Sequence, residues 1–189
     1  MYEEFYGFKE RPFALVPDPS FLYLSKGHGT ALTLLRYSIM NRQGFTVVSG
    51  EVGSGKTTLV NRLLDELKTG VTVGLINFTT RTFGDMAEWI MMAYGLPYKN
   101  KGKVELYEDF VQFMIREYAA GRPVVLIVDE AQNLGIRGLE EIRMLSNVNA
   151  QKEYLLHVIL VGQPELRALL QTPQLRQLTQ RVSVAFHLK

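Results

Sequence analysis

Residues 50–57 read Gly50-Glu51-Val52-Gly53-Ser54-Gly55-Lys56-Thr57 and satisfy G-x-x-x-x-G-K-[ST] at every specified position. The chemistry this spacing allows is the cradling of phosphate. Gly50, Gly53 and Gly55 carry no Cβ, so the backbone can take turns that free its N–H groups to wrap an anion. A helix opening near Lys56 adds the positive end of its dipole. Lys56 would then reach the β- and γ-phosphates of a nucleoside triphosphate, the Thr57 hydroxyl would ligate Mg²⁺, and Glu51, Val52, Ser54 and Thr58 would complete the loop. The competing reading is a glycine turn followed by a surface lysine.

The flanking residues argue against that alternative. Gly44-Phe45-Thr46-Val47-Val48-Ser49 is short, apolar and β-branched, as a buried parallel strand requires. After the loop, apolar residues at 59, 60, 63, 64 and 67 follow helical spacing. A second candidate site lies further along, where Val124-Val125-Leu126-Ile127-Val128 runs into Asp129-Glu130. A continuous Val/Ile/Leu run fits a central parallel strand, and ligands of open α/β sheets bind beyond the carboxyl ends of such strands. Asp129 would hold Mg²⁺ through water, and Glu130 would orient and deprotonate the attacking water; the alternative is two acids capping the following helix.

A third apolar run, Leu155 to Val161, ends at Gly162-Gln163-Pro164. The Gln163 amide either reaches the γ-phosphate or the water, or only caps the helix that Pro164 starts. Arg181 falls between a helix over Pro173 to Gln180 and a last strand over Val182 to Phe186. It is either a surface residue or a finger supplied to a neighbour's nucleotide. His28, His157 and His187 have no partner at metal-ligand spacing, and His157, inside a strand, reads as structural.

The remaining elements must position these groups. Residues 1–25 carry aromatics and Pro12, Pro17 and Pro19 without a period, which predicts an N-terminal arm packed on the core through Phe8, Phe13, Phe21 and Tyr23. Residues 26–189 form the core proper: a helix over 26–42, a β-rich run over Val71 to Phe78, a helix opening at Thr82, a helix over Val104 to Ala120 stopped by Gly121-Arg122-Pro123, and a helix over Gly138 to Val148. At 189 residues and 47% hydrophobic, one α/β domain is the default. The formal charge of +2 demands no polyanionic partner, and Lys99, Lys101 and Lys103 beside Tyr98 read as a solvated loop before a nucleic-acid or lipid contact. Absence of cysteine excludes disulfides and thiolate metal sites. No apolar run reaches a membrane span, and Met1-Tyr2-Glu3-Glu4-Phe5 lacks the regions of a signal peptide, so a cytoplasmic location is expected.

Taken together, these residues resemble an ATPase of the AAA+ class. More narrowly, the chain is similar to the ATPase module of the general secretion pathway protein A family, with its exosortase-associated and pilus-biogenesis relatives. The resemblance is carried by Tyr6-Gly7-Phe8, Pro12-Phe13 and Pro17-Asp18-Pro19; by Gly50 to Thr58; by Val128 to Leu134; by Leu139 to Asn147; by Leu160 to Leu166; and by Leu175 to Arg181. It implies a three-layer P-loop fold with a parallel five-stranded sheet of order 5-1-4-3-2, a sensor role for Gln163, a finger role for Arg181, and contacts to the adenine base near His28 and Leu32. It also implies a homo-oligomeric ring, partners in secretion or export machinery, and a place at the cytoplasmic face of the inner membrane. In that family a helical lid with a second sensor arginine follows the core. The chain ends at Lys189 without one, so it is expected to bind nucleotide better than it turns it over.

The function these readings imply is Mg²⁺-dependent ATP binding and hydrolysis that drives assembly of a cell-envelope secretion or export complex. One alternative is a transposition or DNA-loading ATPase, which the small net charge disfavours. A helicase is suggested by Asp129-Glu130-Ala131-Gln132, but no second set of motor motifs accompanies it. A non-hydrolysing nucleotide switch is the remaining class.

Overall fold

Each of the apolar runs becomes a strand, and all five strands run parallel in one sheet. The computed structural model describes residues 2–8, 24–67, 70–77, 85–150 and 153–189. Its strands are β1 (Phe45–Gly50), β2 (Thr72–Asn77), β3 (Val124–Asp129), β4 (Leu156–Gly162) and β5 (Val182–Leu188), in the order β5-β1-β4-β3-β2. That is the expected order 5-1-4-3-2. A separate two-stranded hairpin pairs Asn149–Ala150 with Glu153–Tyr154.

The absence of alternation in β3 follows from how the sheet is covered. Val124, Leu126 and Val128 pack into one apolar cluster with Leu106, Phe110, Leu139, Ile142 and Leu166. Val125 and Ile127 point the other way, into a cluster with Leu32, Leu35, Leu59 and Leu63. Successive strand side chains face opposite sides, so a strand covered on both faces reads as a near-continuous apolar run rather than an alternating one. Each fully buried Leu, Ile or Val contributes about 1.5–3 kcal/mol. The covering helices are α2 (Lys26–Met40) and α3 (Lys56–Glu66) on one face, and on the other α4 (Met86–Ala93), α5 (Lys103–Ala119), α6 (Gly135–Leu145), α7 (Pro164–Leu170) and α8 (Arg176–Thr179).

Several boundaries move from their expected places. α2 stops at Met40 because Arg42 adopts φ 46°, which a right-handed helix cannot continue through. Thr82 lies outside the described residues, and α4 begins at Met86, where Asp85 caps it by accepting from the Ala87 N–H at 3.1 Å. α6 starts three residues before Gly138, since Gly135 takes φ 62° after a 3₁₀ turn over Ala131–Leu134. The stretch from Pro173 is a 3₁₀ turn before α8.

Of the N-terminal arm, a short helix α1 (Tyr2–Tyr6) is described, and its expected plug Phe8 is 45% exposed. The rings pair among themselves instead, Phe5 with Tyr6 at 4.9 Å and Tyr6 with Phe8 at 5.8 Å. Phe13, Phe21, Tyr23 and the three arm prolines lie outside the described residues. The lysine cluster is partly neutralised: Lys103 pairs with Asp85 at 2.7 Å and Lys101 with Asp109. Among the described residues no helix is long and apolar enough to cross a membrane.

His157 is structural, as its place in a strand suggested. It is buried in β4, its Nε2 3.3 Å from Ser38 Oγ on α2 and its Nδ1 against the Gln43 carbonyl. Burial disfavours the imidazolium and lowers its pKa to about 4 from 6.5. Above pH 6.5 the ring is neutral whether folded or not. As pH falls from 6.5 towards 4 the unfolded chain takes up a proton that the folded chain refuses, so stability declines by up to ~3 kcal/mol. Denaturant titrations between pH 7.5 and 5 should show this loss, and His157→Gln should flatten it. Glu117, held at about 2 by Arg122, adds stability that is fully present above its unfolded pKa of 4.5 and is lost only as pH falls from there towards 2, below the window in which His157 titrates.

Candidate active site

Three strand ends meet at one edge of the sheet. Val47, Leu160 and Val128 lie in one row across β1, β4 and β3, so Gly50, Gly162 and Asp129 leave the sheet side by side. The glycine loop fills the space in front of them. Gly53 and Gly55 adopt φ 78° and 82°, conformations that a Cβ would strain, and α3 starts directly after Gly55. A cleft of about 260 Å³ is lined by Val52, Gly53, Gly55, Lys56, Thr57, Thr58, Glu130 and Gln163. Residues more than a hundred positions apart thus share one cavity.

Within it, every charged group already has a protein partner. Lys56 is 6% exposed, and its Nζ donates to the carbonyls of Gly50 and Glu51, both at 2.8 Å. Thr57 Oγ1 donates to Asp129 Oδ2 at 2.8 Å. Asp129 is 2% exposed, and burial raises its carboxyl above the usual range, opposed by the Thr57 hydroxyl, the Glu130 N–H and the nearby Lys56 charge. A buried carboxylate and a hydroxyl in direct contact form a hard-oxygen donor set suited to Mg²⁺. The residues therefore fit the ion the motifs imply.

Glu130 follows at φ 54°, ψ 39°, the left-handed region, which costs a residue with a side chain about 1–2 kcal/mol. Its N–H donates to Asp129 Oδ1 at 2.9 Å. Two amides converge on its carboxylate: Gln132 Nε2 at 2.6 Å and Gln163 Nε2 at 3.1 Å, both on Oε2. Gln132 also accepts the Gln163 backbone N–H through its Oε1 at 3.1 Å. Gln163 is the N-cap residue of α7 without a side-chain capping bond, so its amide is spent on Glu130 rather than on the helix.

Gln132 is the site residue that the sequence did not single out. It stands two positions after Glu130, where a surface residue on a helix would be equally natural. A sharper signal lies at Gly162, whose Cβ would come within 2.5 Å of Gln132 Oε1. His28 was also undervalued: its Nε2 is 3.0 Å from the Ser54 carbonyl in the phosphate loop. Leu32 is buried in the core and presents no surface to a base.

Arg181 does not join this cluster. It precedes β5, whose first residue pairs with Phe45 while its last pairs with Gly50, so Arg181 sits at the opposite edge of the sheet. There its guanidinium bonds Asn147 Oδ1 and lies 3.5 Å from Ser146 Oγ, 5.9 Å from the Tyr154 ring. Any part it has in catalysis must be played in another copy's site.

Comparison with known proteins agrees with this architecture. The family described as AAA domain matches residues 39–170. General secretion pathway protein A of Aeromonas hydrophila is 40% identical over all 189 residues, and the chain spans 35% of that relative's length. Among solved structures, Aeropyrum pernix ORC2 in its ADPNP–ADP complexes aligns with TM-score 0.67 at 18% identity, over 95% of this chain and 52% of that one. Cdc6p from Pyrobaculum aerophilum aligns with TM-score 0.62 at 22% identity, over 93% and 50%. These two share the fold. On the family match and the identity across its whole length, the chain belongs to the AAA domain family and is similar to general secretion pathway protein A.

Proposed function

We propose that this domain binds ATP with Mg²⁺ and hydrolyses its terminal phosphate, and that in a longer protein the cycle drives assembly of a secretion or export complex at the cytoplasmic face of a membrane. The observation that carries the reading is the convergence of Lys56, Thr57, Asp129 and Glu130 on one cleft from two strand ends. The first part rests on that geometry. The second rests on the 40% identity to a general secretion pathway protein and on the lysine run, whose pairing with Asp85 and Asp109 leaves little charge for nucleic acid.

In this mechanism Lys56 exchanges two carbonyl oxygens for β- and γ-phosphate oxygens, and the loop N–H groups Gly50 to Thr58 surround the β-phosphate. Thr57 and Asp129 would hold Mg²⁺, which neutralises phosphate charge when bound. Glu130 accepts the proton of the attacking water, held in place by the Gln132 and Gln163 amides. Gln163 also reaches the side of the cleft where the terminal phosphate would lie. Arg181 of a neighbouring copy would stabilise the transition-state charge in a ring.

The double clamp on Glu130 favours one second reading, a nucleotide switch that binds without turnover until the clamp opens. Phosphate release separates the two: none at high protein concentration, with nucleotide bound, selects the switch.

Lys56→Ala should weaken ATP binding about a hundredfold or more in calorimetric titration, from two charge-assisted bonds lost. Glu130→Gln keeps an oxygen for both glutamines and should preserve binding while slowing hydrolysis 10²–10⁴-fold, to about background. Hydrolysis by Glu130→Gln at the parent rate would remove Glu130 as the base. Arg181→Ala should slow hydrolysis only under conditions where light scattering shows assembly; an equal loss in monomers would exclude a role in trans.

A further inference from the structure

His28 lies in the first turn of α2, and its ring is fixed at both nitrogens. Nε2 is 3.0 Å from the Ser54 carbonyl oxygen, which can only accept, so Nε2 carries the proton. In the neutral ring Nδ1 is then an acceptor, and the Ser25 hydroxyl, 2.8 Å away, donates to it. Ser25 is itself held, since its Oγ accepts the His28 N–H at 3.3 Å as the cap of α2. The ring also sits hard against the loop: a Cβ on Gly55 would lie 2.7 Å from Nε2.

The Ser54 carbonyl and the Gly55 N–H are opposite ends of one trans peptide, so they point in opposite directions. Drawing the oxygen towards α2 turns the Gly55 N–H away from α2 and into the loop, whose cleft Gly55 lines. Gly55 follows this peptide at φ 82°, a left-handed conformation open to a residue without a Cβ, and α3 starts directly after it. A phosphate cradle depends on such N–H groups being aimed before the anion arrives.

We propose that His28 is a positioning residue for the phosphate loop, holding the Ser54–Gly55 peptide so that its N–H faces the phosphates. The inference rests on the proposed nucleotide function. It assigns His28 to the phosphate side of the ligand, whereas the family resemblance placed this region near the base.

The test measures Kd for Mg-ADP and for Mg-tripolyphosphate, which has phosphates and no base, in the parent chain, His28→Ala and His28→Gln. Melting temperatures are recorded alongside. His28→Ala should weaken both ligands by the same factor, about fivefold to tenfold for one lost hydrogen bond, and His28→Gln, which keeps an N–H donor, should recover most of it. Unchanged affinities overturn the proposal. A loss for ADP that spares tripolyphosphate also overturns it and makes His28 a base contact. Equal losses in both variants with lowered melting temperatures reduce His28 to packing and overturn it as well. If the parent chain binds neither ligand, the nucleotide reading itself falls, a result distinct from any change on substitution.

Discussion

Parallel pairing is the constraint from which the rest of this molecule follows. A parallel strand can be followed by another only if the chain crosses back over a face of the sheet, and here helices make each return. Both faces are thereby covered, which is why β3 is apolar up to Val128 and β4 is apolar apart from His157, and every strand ends at the same edge. Loops after β1, β3 and β4 have no choice but to share that edge. The glycine loop, the paired acids and Gln163 meet there because of the sheet's polarity, before any side chain has made a contact.

What the loops bring to that edge is a set of charges that must be buried and cannot be left unpaired. The structure meets this with internal substitutes. Carbonyl oxygens of the loop stand where phosphate oxygens would stand around Lys56, the Thr57 hydroxyl occupies the Asp129 oxygen that a cation would take, and two amides saturate one oxygen of Glu130. Binding in such a site is an exchange of partners. Its net strength is the difference between two sets of similar bonds, and much of its selectivity comes from requiring a ligand that replaces all of them together.

How legible these features were in the sequence depended on the range of the interaction. The glycine loop was legible because its spacing and its flanking strand and helix are local, and Asp129-Glu130 because a wholly apolar run announces a central strand and therefore its end. The sheet order came from resemblance, since no local pattern says which strands are neighbours. Gln132 was hidden by the left-handed turn at Glu130, which folds a nearby side chain back onto the carboxylate. His28 was hidden because its partner at Ser54 is brought to it only when α2 packs beside α3. The lysine run reads correctly as a loop, but its ion pairs were hidden for a similar reason, as Asp85 reaches Lys103 from the start of another helix.

Gly162 illustrates a different kind of dependence. Nothing in its backbone requires glycine, for its φ is not among the positive values; what excludes a side chain there is the Gln132 amide at 2.5 Å and Leu166 at 3.0 Å from where a Cβ would stand. Positions 132 and 162 are therefore sterically coupled. A side chain at 162 requires the Gln132 amide to swing aside and Leu166 to give way, and the displaced Gln132 releases one of the two amides that hold Glu130. Drift at a silent glycine in a strand would in this way retune the acid at the centre of the cleft.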